Sequence, residues 1–172
     1  MTESVTFVRE STRYLRDVYL PRLERALEAL PEGDLWWRPH EGVLTVGTIL
    51  LHLEGNVRQW ILSGMGALED QRERASEFAA TSGADGRTLF TRLTETVHAA
   101  CELIDALDEG ALAAPYAIQG YETTGLGAVY HVVEHFSWHT GQAVFIAKAR
   151  AGAEHGVAFY DDAQVDAARN RE

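Results

Sequence analysis

The part of the chain best suited to chemistry is a stretch near the C-terminus with three histidines at four-residue intervals, His131, His135 and His139. Residues four apart on an α-helix lie one above the other, with about 5–6 Å between their Cβ atoms. That separation suits two imidazoles that bind the same metal ion. A third ligand must then come from another element, and His52 is the best-placed candidate.

Polar residues accompany these histidines on the helical wheel. Gln142 shares a narrow stripe with His135 and His139, while Asn56 and Gln59 flank His52 at the edge of an apolar face. The stripe around His52 either faces water or lines a pocket whose floor is the metal, and the wheel favours neither alternative. The three amide side chains are candidates for orienting a bound group or holding substrate, the alternative being plain surface or supporting positions.

Three neutral imidazoles with an open fourth position are typical of a catalytic zinc site. Nickel, cobalt or iron(II) would accept the same ligands, and the order of affinities alone does not choose among them. A water or thiol at the open position would be acidified towards a reactive anion near neutral pH. The alternative is three unrelated histidines that cap, pack or lie in solvent.

The same stretch also contains His-x-x-Glu-His, the inverted zinc-protease signature. In that interpretation His131 and His135 bind zinc and Glu134 acts as the base. The chain is short for such a peptidase, and His52 and Gln142 would have no role. We therefore interpret His131 as a neighbour at the edge of the pocket.

The elements that must position these residues are four long amphipathic helices. Apolar residues recur three or four apart over residues 5–30, 45–63, 88–107 and 124–150. Pro21 lies inside the first segment, where we expect a kink or local break. Such helices pack economically as a bundle. We predict an all-α, four-helix bundle with long connections over residues 1–150, followed by a short C-terminal tail, 151–172.

Two connecting segments carry a pattern of their own. Residues 115–123 could be extended or form a short hairpin. Residues 70–78 alternate acids and arginines, and the favoured interpretation is a solvated helical turn with local ion pairs. The alternatives for this segment are a lid over the metal or a dimer contact.

Composition excludes several classes of protein. The 172 residues, 46% hydrophobic, fit one domain with a single core. Binding to nucleic acid needs a positively charged surface, and the formal net charge of −11 argues against this class of protein. No apolar run is long enough to span a membrane, and the N-terminus does not resemble a signal peptide. Cys101 is the single cysteine, so we predict no internal disulfide, a core position for its thiol and a cytoplasmic protein.

Two distant motifs resemble the DinB-like superfamily of DNA-damage-inducible four-helix bundles, which includes thiol-dependent S-transferases. They are Leu-Leu-His-Leu at residues 50–53 and His-x-x-x-His-x-x-Gln at residues 135–142. Leu-Trp-Trp-Arg-Pro at residues 35–39 resembles the segment after the family's first helix, and residues 70–78 resemble a branch with no assigned activity. The resemblance covers roughly residues 5–150.

The resemblance implies a divalent metal held by His52, His135 and His139, and a homodimer. Zinc and nickel are the leading metals, with iron, cobalt and manganese as alternatives. Some relatives use a low-molecular-weight thiol, such as mycothiol or bacillithiol, as cosubstrate. We predict a metal-dependent enzyme that activates such a thiol or water for S-transfer, isomerisation or hydrolysis, with unassigned catalytic residues. The alternatives are a non-catalytic, stress-related dimeric bundle with a structural metal, and the zinc peptidase.

Overall fold

A computed structural model describes residues 3–152 and Ala158 of the chain. The described residues are mainly α-helical, which confirms the predicted fold class. The last helix ends at Ala151, so nearly all of the predicted tail, 151–172, lies outside the described residues. None of the helices described is long and apolar enough to cross a membrane.

The four long helices lie close to their predicted bounds. The first consists of α1 (Glu3–Arg13), a π-helical segment (Tyr14–Tyr19) and α2 (Leu20–Ala29). The second is α3 (Val46–Val57), continued by a π-helical segment (Arg58–Ser63). The third is α5 (Gly86–Asp105), and the fourth is α7 (Gly125–Ala151).

Pro21 does not end the first helix. Proline lacks an N–H and crowds the carbonyl one turn earlier, so it disturbs the regular hydrogen-bond ladder. The helix accommodates it with the π-helical segment immediately before, at whose end the Leu20 N–H donates to the Leu15 carbonyl. The expected local break is therefore a change of hydrogen-bond register inside a continuous helix.

The long helices pack as a ring. Helix α2 packs on α7 and α1 on α5, while α3 packs on both α5 and α7, so the first and second long helices are diagonal. Their apolar stripes meet in one core, whose largest fully buried side chains include Leu15, Leu23, Ile49, Leu53, Leu93, Val97 and Phe136. Each such side chain stabilises the fold by about 1.5–3 kcal/mol.

A capping hydrogen bond and a close packing contact fix the start of α3, the helix that carries His52. Thr45 caps the helix, since its Oγ1 accepts a hydrogen bond from the Thr48 N–H at 2.9 Å. Two residues after this cap, Gly47 lies against the Trp36 ring, where an added Cβ would lie 2.8 Å from ring carbons. This close approach lets the loop before α3 seal that end of the bundle.

The connections contain short elements. They are a 3₁₀ turn (Asp34–Trp36), α4 (Arg74–Ala79), α6 (Glu109–Ala113) and strands β1 (Pro115–Ile118) and β2 (Tyr121–Thr124). The strands form an antiparallel hairpin, one of the alternatives expected for this segment. Gln119 and Gly120 make its two-residue turn with φ of 54° and 81°, as a type I′ turn requires.

Candidate metal centre

Helices α3 and α7 bring His52, His135 and His139 together. One ring nitrogen from each lies within 4.8 Å of the other two. The Nε2 atoms of His52 and His135 are 3.1 Å apart. Two nitrogens that each lie about 2.0–2.1 Å from a tetrahedral zinc would be about 3.3 Å apart. The three rings therefore lie at distances that allow them to bind one ion.

The Nδ1 atoms of two of these histidines face hydrogen-bond acceptors. His52 Nδ1 lies 2.9 Å from Glu77 Oε2, and His139 Nδ1 lies 2.8 Å from Gln142 Oε1. Both oxygens are acceptors, which favours the tautomer with the ring proton on Nδ1 and a lone pair on Nε2; at His52, the Arg72 Nη2 donor also lies 3.1 Å from Nδ1. His135 Nδ1 is buried without a hydrogen-bond partner. The donor set fits a divalent transition metal.

Glu77 is held in place by Arg72. The guanidinium donates two bonds to the carboxylate, from Nε at 2.7 Å and from Nη2 at 2.8 Å, and a third from Nη1 to Gln59 Oε1 at 2.9 Å. The side chains of Arg72 and Glu77 are only 4% and 11% exposed. Burial opposes ionisation of Glu77, but hydrogen bonds from Arg72 and His52 outweigh it and lower its pKa. An anion therefore faces the His52 ring.

The solvated-turn interpretation holds for residues 70, 71 and 73–76, which are exposed, but not for Arg72, Glu77 and Phe78, which dock against the bundle. The expected ion pairs exist, but they cover His52, and the Phe78 ring packs 4.7 Å from the His52 ring. Gly55 allows this approach, because an added Cβ would collide with Glu77 Oε1 and lie 2.9 Å from Arg72 Nε. The placement agrees with the alternative of a lid beside the histidines.

Arg72, Glu77 and Gly55 are the residues that sequence reasoning missed. A signal for Gly55 was present, since a glycine inside a helix, three residues after a candidate ligand, often marks close approach by another segment. The sequence carried no comparable signal for Glu77, one of several acids in its segment. Only the docked position of α4 distinguishes it from the others.

A cavity of about 600 Å³ opens beside the histidines. Its walls are formed by His52, Asn56, Trp60, Arg72, Arg74, Gln119, Tyr121, His131 and His135. Asn56 is 3% exposed, so the polar stripe lines a pocket at this position. Gln59 lies outside the wall and instead bonds Arg72 and Asp70. Gln142 also lies outside this wall, and its Oε1 contacts His139 Nδ1.

The β-hairpin supplies one wall of the cavity. Trp60 Nε1 donates to Gln119 Oε1 at 3.1 Å, and the Trp60 ring lies 6.3 Å from that of Tyr121. On its other side the indole lies 3.8 Å from the His131 ring. The pocket therefore combines an aromatic wall with a polar floor.

His131 lies at the edge of this pocket. Its ring is 5.4 Å from that of His135, its Nε2 lies 3.3 Å from Asn56 Nδ2, and the metal-binding cluster does not include it. Glu134 is exposed and lines a separate groove with Trp138. This geometry does not bring together the two ligands and the base that a peptidase would need.

Burial keeps His135 and His139 neutral. Desolvation, followed by the neighbouring imidazoles, lowers the pKa of His135 to about 3. Desolvation and His52 lower the pKa of His139 to about 4, against the opposing hydrogen bond that His139 donates to Gln142 Oε1. Desolvation also lowers the pKa of His131. Neutral imidazole is the form that binds a metal, so His135 and His139 are ready to bind at pH 7.

The family of this chain follows from a comparison with protein-family models. The model described as a protein of unknown function, DUF1572, matches residues 2–157. The chain belongs to the DUF1572 family. The family description assigns no activity, so any function for this DUF1572 protein has to be argued from its site.

The fold of this DUF1572 protein is also found in a solved structure. The crystal structure of a conserved protein of locus from Enterococcus faecalis is similar, with a TM-score of 0.67 and 16% sequence identity. The alignment covers 83% of this chain and 95% of that one. At this identity the likeness shows the fold alone. No curated protein matches the DUF1572 chain significantly.

Proposed function

We propose that this DUF1572 protein binds one divalent transition metal, zinc or nickel, through His52, His135 and His139, and that it is an enzyme acting on a low-molecular-weight thiol or on water. The observation that carries the proposal is three converging imidazoles beside an open cavity of about 600 Å³. Catalytic metal sites keep a position open next to a pocket. Among the described residues, the cluster contains no fourth His, Cys, Asp or Glu.

Each side chain around the site has a distinct task in this proposal. A divalent metal bound there supplies Lewis acidity, which lowers the pKa of a bound water or thiol. Glu77 and Gln142 hold the Nδ1 protons of His52 and His139, so that both Nε2 atoms stay aimed at the ion. Asn56 orients a group in the cavity. S-transfer, isomerisation and hydrolysis all fit this arrangement, and the thiol comes from the DinB-like resemblance.

A non-catalytic metal is the second candidate function. The site joins α3 to α7, two helices far apart in the sequence, so an ion there would stabilise the bundle. In that case a chelator would lower the thermal midpoint, and no thiol would bind the metal-loaded protein. Binding of a thiol that depends on the metal favours the enzyme.

Metal analysis of protein purified without an affinity tag tests the centre itself. We expect near one equivalent of a transition metal per chain, which His52→Ala abolishes and His131→Ala retains. Loss of metal with both variants would overturn the assignment of ligands. For activity, a panel of thiols and electrophiles is incubated with the protein; turnover with one thiol, abolished by a chelator, supports the transferase, and a metal without any turnover favours the structural role.

We also propose that the protein is a homodimer, as the family resemblance implies. The exposed face of α7 carries Tyr130, Trp138 and Phe145, which are 61%, 63% and 73% exposed. Large exposed apolar patches often mark interaction surfaces, which supports the proposal. Sedimentation velocity should show twice the chain mass, and Phe145→Arg should shift it to that of one chain.

A further inference from the structure

We propose that the cavity beside the three histidines takes a small molecule with two anionic ends, a thiolate at the metal and a carboxylate at Arg74. The inference deepens the proposed function and rests on it, since the first end requires the metal. It assigns Arg74 as the residue that selects an anionic substrate over a neutral one.

The charges at the centre favour an anion. Three neutral imidazoles leave the two positive charges of a divalent ion uncompensated. The one carboxylate that faces a ligand, Glu77, is already paired with the buried guanidinium of Arg72. These two charges offset each other, which leaves a bound divalent ion and Arg74 as positive charges at the cavity. The chain as a whole carries −11 and would repel an anion, so attraction has to come from this local cluster.

Arg74 is placed between solvent and the centre. It is exposed, lines the same cavity as His52 and His135, and its Cζ lies 4.6 Å from the centre of the Phe78 ring. That ring in turn packs 4.7 Å from the ring of His52. The guanidinium is therefore held at the mouth of the cavity, on the side that α4 covers.

The acidic side chains of the same segment do not form ion pairs with Arg74. Asp70 accepts from Gln59 at 2.8 Å and from the Arg72 N–H at 3.1 Å. Glu73 accepts from the Ser76 hydroxyl at 3.1 Å. Among residues 3–152, no carboxylate is within ion-pair distance of Arg74. A planar guanidinium of this kind is suited to a carboxylate, which it binds through two parallel hydrogen bonds.

Asn56 makes part of the cavity wall polar. Its side chain lines the cavity and is 3% exposed, yet its Oδ1 is buried with no hydrogen-bond partner. Its Nδ2 lies 3.3 Å from His131 Nε2. Buried polar atoms without a partner are rare in folded proteins. The amide therefore gives this part of the wall a polar character that suits a ligand with polar groups.

Isothermal titration of the zinc-loaded protein tests the proposal with two probes of equal length, 6-mercaptohexanoate and 6-mercapto-1-hexanol. At low ionic strength we expect the carboxylate to bind about fivefold more tightly. Arg74→Gln should remove this preference, with the zinc content and thermal midpoint unchanged. Arg58→Gln is the matched control, since Arg58 is also exposed and lies outside the cavity wall; it should retain the preference.

Equal binding of the two thiols, or a preference that survives Arg74→Gln, would overturn the assignment of Arg74 while the proposed function stands. If neither thiol binds, the thiol chemistry fails, and adipate and 6-hydroxyhexanoate replace the pair. A preference for adipate that Arg74→Gln removes would still support a ligand with two anionic ends. No preference for adipate would overturn it.

Discussion

Two buried regions of this bundle contain ionisable side chains, and burial has different chemical consequences in each. Cys101 on α5 lies in the apolar core with Val97 and Ile104, and burial raises the pKa of its thiol to about 12. His135 on α7 is also desolvated, and its pKa falls to about 3. In both regions burial suppresses the charged form. The neutral thiol is unreactive, whereas the neutral imidazole is ready to bind a cation.

The difference lies in the neighbours. Cys101 packs in the apolar core, and the nearby carboxylates of Asp105 and Asp17 add to the effect of burial by disfavouring a thiolate, against the opposing effect of Arg16. The histidines face each other across a few ångströms, and Glu77 and Gln142 fix the protons of two of them. Burial alone therefore does not make a site. Converging lone pairs, held by a second layer of acceptors, distinguish the histidine region.

Removal of a ligand should have the largest effect. His135→Ala leaves two imidazoles, and we expect metal affinity to fall by more than about 100-fold, since even supporting residues account for about 10–100-fold. Competition with a chromogenic chelator measures the change. Cys101→Ala is the control from the other buried region and should leave the affinity unaltered. An equal loss in both variants would mean that general destabilisation, and not a missing ligand, explains the result.

Removal of the charge on Glu77 should have the next largest effect. Glu77→Gln keeps the shape of the side chain but weakens the hydrogen bond that fixes His52. We expect about 10–100-fold weaker metal binding by the same competition assay. Glu73→Gln, in the same segment but bonded to Ser76, is the matched control. If both variants bind metal as the parent does, the carboxylate has no role in positioning His52.

The methyl group added by Gly55→Ala should displace residues 70–78 from α3. Gly55→Ala places a Cβ against Glu77 and Arg72, so that residues 70–78 must move away from His52. We expect metal affinity to fall by about tenfold, the lower end of the range for supporting interactions. Gly141→Ala, on α7 with no atom within 4 Å of an added Cβ, should have no such effect. Unchanged affinity in Gly55→Ala would show that the docked segment is dispensable.

The two buried regions should lower the unfolding free energy at opposite ends of the pH range, the histidines at acid pH and Cys101 at alkaline pH. In the metal-free protein, His135 and His139 have native pKa values of about 3 and about 4, below the unfolded value near 6.5. The unfolded chain then binds more protons, so these residues make the unfolding free energy fall as the pH drops below about 6.5. Cys101 has a native pKa of about 12, so the unfolded chain releases its proton first and stability falls above about pH 9.

Urea unfolding between pH 4.5 and 10 measures both effects. His135→Asn should make the acid side of the profile shallower, and Cys101→Ala should do the same for the alkaline side. These changes are smaller than the losses of metal affinity, because many other groups titrate over the same range. A profile unchanged in both variants would contradict the desolvation of these two side chains.

The sequence predicted the long helices and the histidine pair well because both depend on local periodicity. An apolar residue every third or fourth position specifies a helix, and a four-residue interval places two imidazoles on one face. The pairing with His52 was also accessible, because its position at the edge of an apolar face brings it next to another helix. The docking of Arg72, Glu77 and Phe78 was not predictable, because a short charged segment has the same sequence pattern in solvent and in a docked position.

The all-α class, the helix bounds to within a few residues and the side of α7 that carries the histidines were all predictable from the sequence, since they follow from the chemistry of nearby residues. Tertiary packing places Glu77 within hydrogen-bond distance of His52, buries Arg72 beside it and leaves Asn56 Oδ1 without a hydrogen-bond partner. The contact between His52 and Glu77 joins residues 25 apart in the chain, and it depends on how closely the docked segment approaches α3 at Gly55. Local periodicity carries no information about that distance.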